Sequence, residues 1–227
     1  MTPRFSILIP TLNEAANIRR TLAAAQAAFG AAAEYIVADG GSTDDTVDAA
    51  HASGARVIHS VRGRGAQLDD ALRAANGDVC ILVHADTRLP PDAAAMIERA
   101  LEHAVAGAFL LQFESGQLPW LAAAINIRSL VLKSATGDQV MFARRETLLN
   151  TGGVPRVELF EDVLAWRQLK RAGRVVLVRA KVTTSARLWI QLGTWRGIFL
   201  HWRLRVLHAL GMTPRRLAKM YPTSSIS

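Results

Sequence analysis

Short apolar runs alternate with alanine-rich segments through the first half of the chain. The runs are rich in isoleucine, leucine and valine, which is typical of strands buried in a sheet. Four strands are predicted, at Phe5–Ile9, 34–38, Ala55–His59 and Val79–Val83. Helices are predicted between them, after Glu14 to about Ala28, from about Asp44 to Ala52, and after the Arg62–Gly65 loop to about Ala75. This βαβαβαβ order predicts a mostly parallel sheet with helices on both faces.

The first connection, Pro10-Thr-Leu-Asn-Glu14, carries two local signals. We expect Pro10 to end the first strand, because proline has no N–H group to donate. Thr11 and Glu14 have the spacing of a capping box, in which both side chains bond to main-chain N–H groups at a helix start. An alanine-rich helix is therefore predicted to follow.

The pattern becomes less regular after residue 105. Further strands are predicted at Ala108–Phe113, around Gln139–Ala143 and at Val175–Val178, and further helices at 117–133, 161–171 and about Thr194–Leu210. We expect one α/β domain over residues 1–190, divided into halves at about residue 105. A basic helical extension is expected over residues 191–227, and its last residues, 222–227, are expected to fray.

The charge is divided sharply along the chain. Residues 1–162 hold 14 Lys and Arg and all 19 Asp and Glu, whereas residues 163–227 hold 13 Lys and Arg and no acid. This division favours an acidic catalytic part and a basic part that meets an anionic partner.

Cysteine content and hydropathy indicate the compartment. The single cysteine, Cys80, lies within a predicted strand, so no disulfide can form within the chain, and a buried thiol in a reducing compartment is expected. No secretory leader is expected at the N-terminus. The most apolar stretch, 118–132, is interrupted by Pro119, Asn126 and Arg128 and is too short to cross a bilayer. We therefore expect a cytoplasmic protein, either free or peripheral on the inner face of the membrane.

Acidic residues follow the predicted strands. Asp39 and Asp86 come directly after apolar runs, and Glu161 and Asp162 precede a predicted helix. Because loops at the carboxyl ends of parallel strands share one crevice, we expect the first two to lie close together. Carboxylates suit Mn²⁺ or Mg²⁺ and, through the metal, a phosphorylated ligand. The sequence thus predicts an enzyme that acts on a nucleotide-activated substrate.

Each motif also has a purely structural interpretation. Ser42, Thr43 and Asp44 are natural helix caps, which explains much of the loop after Asp39. Adjacent acids at a helix start are favourable in themselves, so Glu161 and Asp162 serve either the helix or a proton transfer. The pair Arg187 and Trp189 lines a substrate cleft or simply packs, and His84 alone is a common polar strand end. Arg62 and Arg64 flank a glycine at a helix start, where phosphate binds readily, although the spacing differs from a dinucleotide fingerprint.

Taken together, the ordered motifs resemble family 2 glycosyltransferases of the GT-A fold. The resemblance rests on Ile9-Pro-Thr-Leu-Asn-Glu14, Asp39-Gly-Gly-Ser-Thr-Asp44, His84-Ala-Asp86, Gly137-Asp-Gln139 and Glu161-Asp162. The segments Arg62-Gly-Arg-Gly-Ala-Gln67, His84-Ala-Asp-Thr87 and Thr184-Ser-Ala-Arg187 are similar to the rSAM/selenodomain-associated transferase 2 subgroup. The similarity covers about residues 4 to 220. It implies a Rossmann-like sheet with a nucleotide-binding half over 1–105 and an acceptor half over 106–190.

The resemblance also implies roles for individual residues. Asp86 would hold Mn²⁺ or Mg²⁺, and Asp162, with Glu161 beside it, would deprotonate the acceptor hydroxyl. The donor nucleotide-sugar would be bound by Pro10, Thr11, Glu14, Asp39, Gly41, Arg62, Arg64, Gln67, His84, Ala85 and Asp86. The sugar or acceptor would lie near Asp138, Gln139, Arg187 and Trp189. The chain departs from the family pattern at Gly40, where many relatives have a second acid, and at His84, which replaces the first acid of Asp-x-Asp.

The function implied is transfer of a sugar from a nucleoside diphosphate to an acceptor hydroxyl by a single inverting displacement. The alternative is a non-catalytic nucleotide-sugar or membrane-binding module that keeps the fold. A sugar-phosphate nucleotidyltransferase is disfavoured, because no glycine-rich loop with an arginine follows the first strand. Nucleic acid is not an expected partner, since no recognised binding module is present and the basic residues are interleaved with aliphatic runs.

The predicted C-terminal helix is amphipathic. One face carries Trp195, Ile198, Phe199, Trp202, Val206 and Leu210, and arginines 196, 203 and 205 flank it. A second apolar strip contains Leu200, Leu204 and Leu207. We expect one strip to pack on the protein and the other to lie in an anionic membrane surface, near a lipid-linked acceptor. A helix packed only on the domain, with a soluble acceptor, is the alternative.

Overall fold

A computed structural model describes residues 3–221; residues 1–2 and 222–227, including the segment expected to fray, lie outside the described part. The strands are β1 Phe5–Thr11, β2 Ala33–Asp39, β3 Arg56–His59, β4 Val79–Leu82, β5 Ala106–Phe113, β6 Met141–Arg144 and β7 Val175–Thr184. The helices are α1 Ala15–Phe29, α2 Thr46–Ala52, α3 Arg64–Ala74, α4 Ala93–Leu101, α5 Pro119–Leu132, α6 Arg145–Asn150, α7 Glu161–Ala172, α8 Arg187–Leu192, α9 Thr194–Ala209 and α10 Pro214–Ala218. Single 3₁₀ turns occur at Gly30–Ala32, Glu114–Gly116 and Gly137–Gln139.

The seven strands form one sheet in the order β3-β2-β1-β4-β6-β5-β7. Strands β1 to β4 are parallel, β5 is parallel to β7, and β6 alone runs antiparallel to both of its neighbours. The residues just before β6 therefore lie at the edge where the other strands end, and Met141 is paired with Leu82 at the end of β4. The predicted mostly parallel α/β sheet is confirmed.

Alternate residues of the strands supply two separate cores, one on each face of the sheet. Ile7 and Ile81 point toward α1, α4 and α5, whereas Leu8 and Leu82 point toward α3, α6 and α7. This is the burial on both faces that continuous apolar runs predict. Cys80 belongs to the second core, and burial raises the pKa of its thiol to about 12. It is the buried small residue that the sequence predicts.

The first strand ends differently from the prediction. Pro10 does not terminate β1, which continues through Thr11 and pairs with β2. The pairing of β1 with β4 ends at Leu8, so beyond that point β1 has a neighbour on one side only. A proline is tolerated there because no β4 carbonyl requires its missing N–H group.

The predicted capping box of α1 is also wrong. The Thr11 hydroxyl donates to Asp39 instead, and no side chain of the connection caps the helix. The helix start is capped from the next βα unit: the N–H of Glu14 donates to the Thr46 hydroxyl at 2.8 Å, and the N–H of Ala15 donates to Asp44 at 3.2 Å. The first two connections are therefore one hydrogen-bonded unit.

A third cluster attaches the C-terminal helices to the domain. Its buried members are Leu159, Phe160, Leu204, Leu217 and Tyr221, and Leu200 and Leu207 pack against it. The predicted inner strip of α9 is thus confirmed, although Ile198, placed on the outer strip, packs on the main core. Helix α8 crosses the predicted boundary at 190–191. Within residues 3–221, none of the helices combines the length and the apolar character that crossing a membrane requires.

The third cluster predicts that shortening a leucine inside α9 and shortening a leucine directly after it will change the stability of the protein by different amounts. Leu204 is 1% exposed and Leu210 is 79% exposed. We expect Leu204→Ala to lower the free energy of unfolding by about 2–5 kcal/mol, because it leaves a cavity between α9 and the domain. Leu210→Ala should change it by less than about 0.5 kcal/mol. Urea denaturation of the two variants tests this, and equal losses would contradict the packing of α9.

Candidate active site

Asp39 shapes the loop that follows β2. Its side chain is almost fully buried and accepts four hydrogen bonds, from the Thr11 hydroxyl, the Ser42 hydroxyl, and the main-chain N–H groups of Gly41 and Ser42. These bonds fill the acceptor positions of a carboxylate. A contact from Asp39 to a ribose or nucleobase would displace one of them, so that role stays a prediction.

Asn13, which no sequence pattern singles out, joins the first loop to the Asp39 loop. Its N–H donates to the Ser42 hydroxyl and its side-chain oxygen accepts the N–H of Thr43, both at 2.9 Å. Asn13 has a φ of 55°, a conformation that asparagine adopts more readily than most residues. The two loops at the ends of β1 and β2 are consequently held together before any ligand is present.

Gln67 lies beneath these loops rather than in the cleft. It is 3% exposed, and its amide donates to the main-chain carbonyls of Thr11 and Ala38 at 2.7 and 2.8 Å. Its side-chain oxygen accepts the N–H of Gly63. The predicted direct contact with the donor is therefore replaced by a supporting role. A Cβ on Gly40 would lie 3.1 Å from the Gln67 amide nitrogen, so a side chain at residue 40 would require Gln67 to shift.

The two arginines of the loop before α3, Arg62 and Arg64, differ in their contacts. Both are exposed, but Arg64, at the start of α3, also donates through Nε to Glu161 Oε1 at 2.9 Å. Burial raises the pKa of Glu161, and the charge of Arg64 opposes this rise. A Cβ on Gly65 would collide with the carbonyl of Pro155, so glycine there allows α3 to approach the loop before α7. The ion pair thus connects the start of α3 to the start of α7.

His84 and Asp138 form a second pair, between the end of β4 and the turn before β6. The Nδ1 of His84 donates to Asp138 Oδ1 at 3.2 Å. Burial would lower the pKa of His84, but the hydrogen bond and charge of Asp138 outweigh it and raise that pKa. Burial likewise opposes ionisation of Asp138, yet the bond from His84 and nearby positive charge hold its pKa below the usual range. A Cβ on Gly137 would collide with the His84 ring, so only glycine permits this approach.

Asp86 lies near two other carboxylates, those of Asp138 and Glu14. Burial raises the pKa of Asp86, and the charges of Asp138 and Glu14 act in the same direction. Glu14 is itself bonded to Arg187, whose guanidinium donates to Glu14 Oε1 at 2.7 Å across the cleft rim. A cation at Asp86 would relieve the repulsion among these carboxylates.

The residues fit a metal that is held jointly with a ligand. In the described part of the chain, no three His, Cys, Asp or Glu side chains form a ready-made metal cage. Mg²⁺ bound to phosphates commonly needs only one or two protein carboxylates. Asp86 supplies one carboxylate. His84, two residues before it, already uses Nδ1 to bond to Asp138.

Asp162 is fixed to the same turn that carries Asp138. One of its oxygens accepts the N–H of Gly137 at 2.8 Å and the other accepts the N–H of Val163 at 2.7 Å. The side chain is half-buried. The antiparallel direction of β6 therefore brings Asp86, Asp138 and Asp162 to one cleft. The order of the motifs along the chain does not show this convergence.

Two predicted sugar or acceptor residues lie elsewhere. Gln139 is 0% exposed and its amide is bonded to Ser129 and to the carbonyl of Phe109, so it belongs to the core and not to the cleft. Trp189 packs on the His201 ring, with a centroid distance of 4.8 Å, and fixes α8 to α9. Of the predicted donor residues, Pro10 and Ala85 also have buried side chains. Sequence patterns do not distinguish these packed residues from cleft residues.

Comparison with known proteins agrees with the fold and with the family that the motifs resemble. The family model described as Glycosyl transferase family 2 matches residues 6–151. Glucosyl-3-phosphoglycerate synthases of Mycobacterium tuberculosis and Mycobacterium bovis are 36% identical over 91 residues, covering 36% of this chain and 28% of theirs. The match thus spans less than a third of those relatives.

Solved structures are similar over most of the chain. The structure of S. aureus TarS residues 1–349 with UDP-GlcNAc has a TM-score of 0.66 at 19% identity, covering 80% of this chain and 58% of TarS, which supports the fold alone. The M. tuberculosis glucosyl-3-phosphoglycerate synthase with Mn²⁺, UDP and glucosyl-3-phosphoglycerate has a TM-score of 0.57 at 26% identity, covering 79% and 70%. The GT-A architecture expected from the motifs is confirmed, and the chain belongs to glycosyl transferase family 2.

Proposed function

We propose that this protein transfers a sugar from a nucleoside diphosphate to an acceptor hydroxyl, with inversion at the sugar carbon. The observation that supports this most is the convergence of Asp86, Asp138 and Asp162 on one cleft, through the His84–Asp138 and Gly137–Asp162 hydrogen bonds. The non-catalytic binding module is the alternative, and turnover of a nucleotide-sugar separates the two.

The donor side of the cleft is proposed to be the edge formed by β1, β2 and β4. The joined loops there offer main-chain groups to a nucleoside, and Arg62 is free to meet phosphate. A uridine nucleotide is the proposed donor, since the solved relatives were captured with UDP, UDP-glucose or UDP-GlcNAc. Mn²⁺ or Mg²⁺, held by Asp86 and the diphosphate, would neutralise charge on the leaving group.

Asp162 is the proposed base, and Glu161 supports it. Glu161 is committed to Arg64 and is almost fully buried, so it cannot reach an acceptor. Asp162 is half-buried and held in place by two N–H groups. As Asp162 takes the acceptor proton, the acceptor oxygen bonds to the sugar carbon, and the bond from that carbon to the diphosphate oxygen breaks. No covalent enzyme intermediate is required.

We propose that the surface facing the membrane includes α5 as well as α9. Trp195, Phe199 and Trp202 are exposed on α9, and Leu210 is exposed directly after it. Helix α5 adds the exposed residues Trp120, Ile127, Leu130, Val131 and Leu132, and Trp120 stacks on Trp195 with ring centroids 5.3 Å apart. We call this two-helix surface the apolar platform. Exposed tryptophans beside arginines suit the interface of an anionic membrane.

The first prediction concerns Asp86. We expect Mn²⁺ to bind the free protein weakly and to bind more tightly when UDP is present, because phosphate oxygens complete its coordination. Asp86→Ala should weaken this UDP-dependent binding by more than about tenfold. Calorimetry with and without UDP measures it. Glu102→Ala, which removes an exposed acid at the end of α4, serves as the control. Tight Mn²⁺ binding without UDP that survives Asp86→Ala would contradict the assignment.

The second prediction concerns Asp162. A thermal-shift screen of UDP- and GDP-sugars identifies the donor, and release of the nucleoside diphosphate then gives turnover. Asp162→Asn should lower turnover by about 10²–10⁴-fold, because an amide cannot take a proton, while donor affinity is unchanged. Glu158→Gln, an exposed substitution before α7, should have no effect. Near-normal turnover of Asp162→Asn would limit Asp162 to a capping role.

The third prediction concerns the apolar platform. We expect the protein to co-sediment with vesicles that contain anionic lipid at low salt, less at moderate salt, and little with neutral vesicles. Replacing both Trp202 and Val131 with Ser should reduce co-sedimentation without lowering thermal stability, since both are exposed. Failure to bind anionic vesicles at low salt would show that the platform meets something other than a membrane.

A further inference from the structure

Phe160, which directly precedes the acidic pair, has an unusual main-chain conformation. Its φ of 66° and ψ of 23° are left-handed, which is unfavourable for a bulky residue because Cβ lies close to the following carbonyl oxygen. Helix α7 begins at the next residue, and the N–H of Leu164 donates to the Phe160 carbonyl at 3.0 Å. The direction of α7, and with it the place of Asp162, therefore depends on a conformation that Phe160 does not favour by itself.

The C-terminal helices supply the packing around Phe160. Its side chain is 8% exposed and belongs to the third cluster, together with Leu204 of α9, Leu217 of α10 and Tyr221. The ring of His208 lies against the Phe160 ring, with centroids 5.2 Å apart. A strained main-chain conformation persists only where the surrounding structure holds it, and such residues gather at active sites. The packing of these helices thus holds the left-handed residue at the start of α7.

Residues 187–221, the C-terminal segment, are joined to one another by a short chain of contacts. The Nδ1 of His201 donates to the carbonyl of Gly197 at 2.9 Å, and its Nε2 lies 3.2 Å from the Tyr221 hydroxyl. Because a carbonyl only accepts, the proton of the neutral ring is on Nδ1, and Nε2 accepts from Tyr221. Trp189 stacks on the other side of His201, at 4.8 Å between centroids. The segment therefore packs against Phe160 as one unit, from α8 to Tyr221.

Asp162 is also held by groups outside the C-terminal segment. The N–H of Gly137 donates to Asp162 at 2.8 Å, and Arg64 donates to Glu161 at 2.9 Å. These contacts restrain the two acidic side chains, whereas Phe160 sets the main-chain direction from which both side chains project. The bond between Gly137 and Asp162 therefore reports directly on whether α7 starts in the direction that the cleft requires.

We propose that the C-terminal segment positions Asp162 for proton transfer by holding Phe160 in its left-handed conformation. The inference rests on the proposed transferase function, in which Asp162 is the base. Phe160 is a positioning residue, because it acts through Asp162. A base that is displaced by about 1 Å loses much of its effect on the acceptor hydroxyl, while the donor side of the cleft is unchanged. Loss of the packing should therefore lower turnover and leave donor affinity as it was.

The first test compares two buried leucines on the full chain. Leu217→Ala opens the third cluster, and Leu101→Ala opens the main core at the end of α4; the two side chains are 0% and 4% exposed. Amide hydrogen exchange is measured by NMR at Gly137, relative to Ile81 in the centre of the sheet, so that global unfolding cancels. Leu217→Ala should raise this ratio by about tenfold or more, because the bond to Asp162 opens locally. Leu101→Ala should leave it unchanged.

The second test separates the conformation of residue 160 from its ring. Turnover is the release of UDP from UDP-glucose with Mn²⁺, and calorimetry gives the affinity for UDP. Phe160→Ala should lower turnover by about 10–100-fold with UDP affinity unchanged. Phe160→Asn loses the same ring, but asparagine adopts left-handed angles more readily, so it should retain about tenfold more turnover than the alanine variant. Circular dichroism establishes the temperature at which every variant is folded.

The outcomes distinguish this proposal from the proposed function. Equal exchange ratios in the two leucine variants, or equal turnover of Phe160→Ala and the unmodified protein, overturn the positioning role. If Leu217→Ala does not fold, His208→Ala replaces it, since it removes the ring that contacts Phe160 from a side chain that is only half-buried. The expected exchange difference in a protein that releases UDP from none of the UDP-sugars in the screen would count against the proposed transferase function alone.

Discussion

The reversed direction of β6 is the constraint on which the cleft depends. Because β6 runs antiparallel between β4 and β5, the turn before it lies at the edge where β1, β2 and β4 end. That turn carries Asp138 and offers the Gly137 N–H to Asp162. If β6 ran parallel to its neighbours, these groups would lie at the far edge of the sheet. The loops after β1, β2 and β4 meet Asp138 and Asp162 because one strand is inverted.

The division of charge acquires a spatial meaning in the folded chain. Acids from the first 162 residues lie in the cleft, and the acid-free remainder supplies Arg187, whose guanidinium donates to Glu14 at the rim. Positive charge from the last third of the chain thus lies directly against the acidic cleft. The apolar platform is formed by α5 and α9, so the proposed membrane surface combines a helix from the acidic part with one from the acid-free part.

Local patterns predicted most of the strands and the longer helices, because burial on both faces gives continuous apolar runs. They could not predict the direction of β6, which depends on pairing between distant segments. They also misplaced buried amides: Gln67 and Gln139 are polar in sequence, yet each is satisfied by main-chain groups inside the protein. The capping box failed for a related reason, since Thr11 and Glu14 found partners far along the chain. The ordered motifs single out Asp86 and Asp162, whose roles stay predictions, whereas no pattern in the sequence singles out Asn13, which joins the first two loops.

The Glu14–Arg187 ion pair spans 173 residues and has a consequence for the order in which the molecule matures. Strands β1 to β4 pair only among themselves until β6 is added, so this part of the sheet can assemble early during synthesis. Glu14 belongs to that part, but Arg187 arrives only with α8. The rim of the cleft therefore acquires its final distribution of charge late, when the final third of the chain has docked.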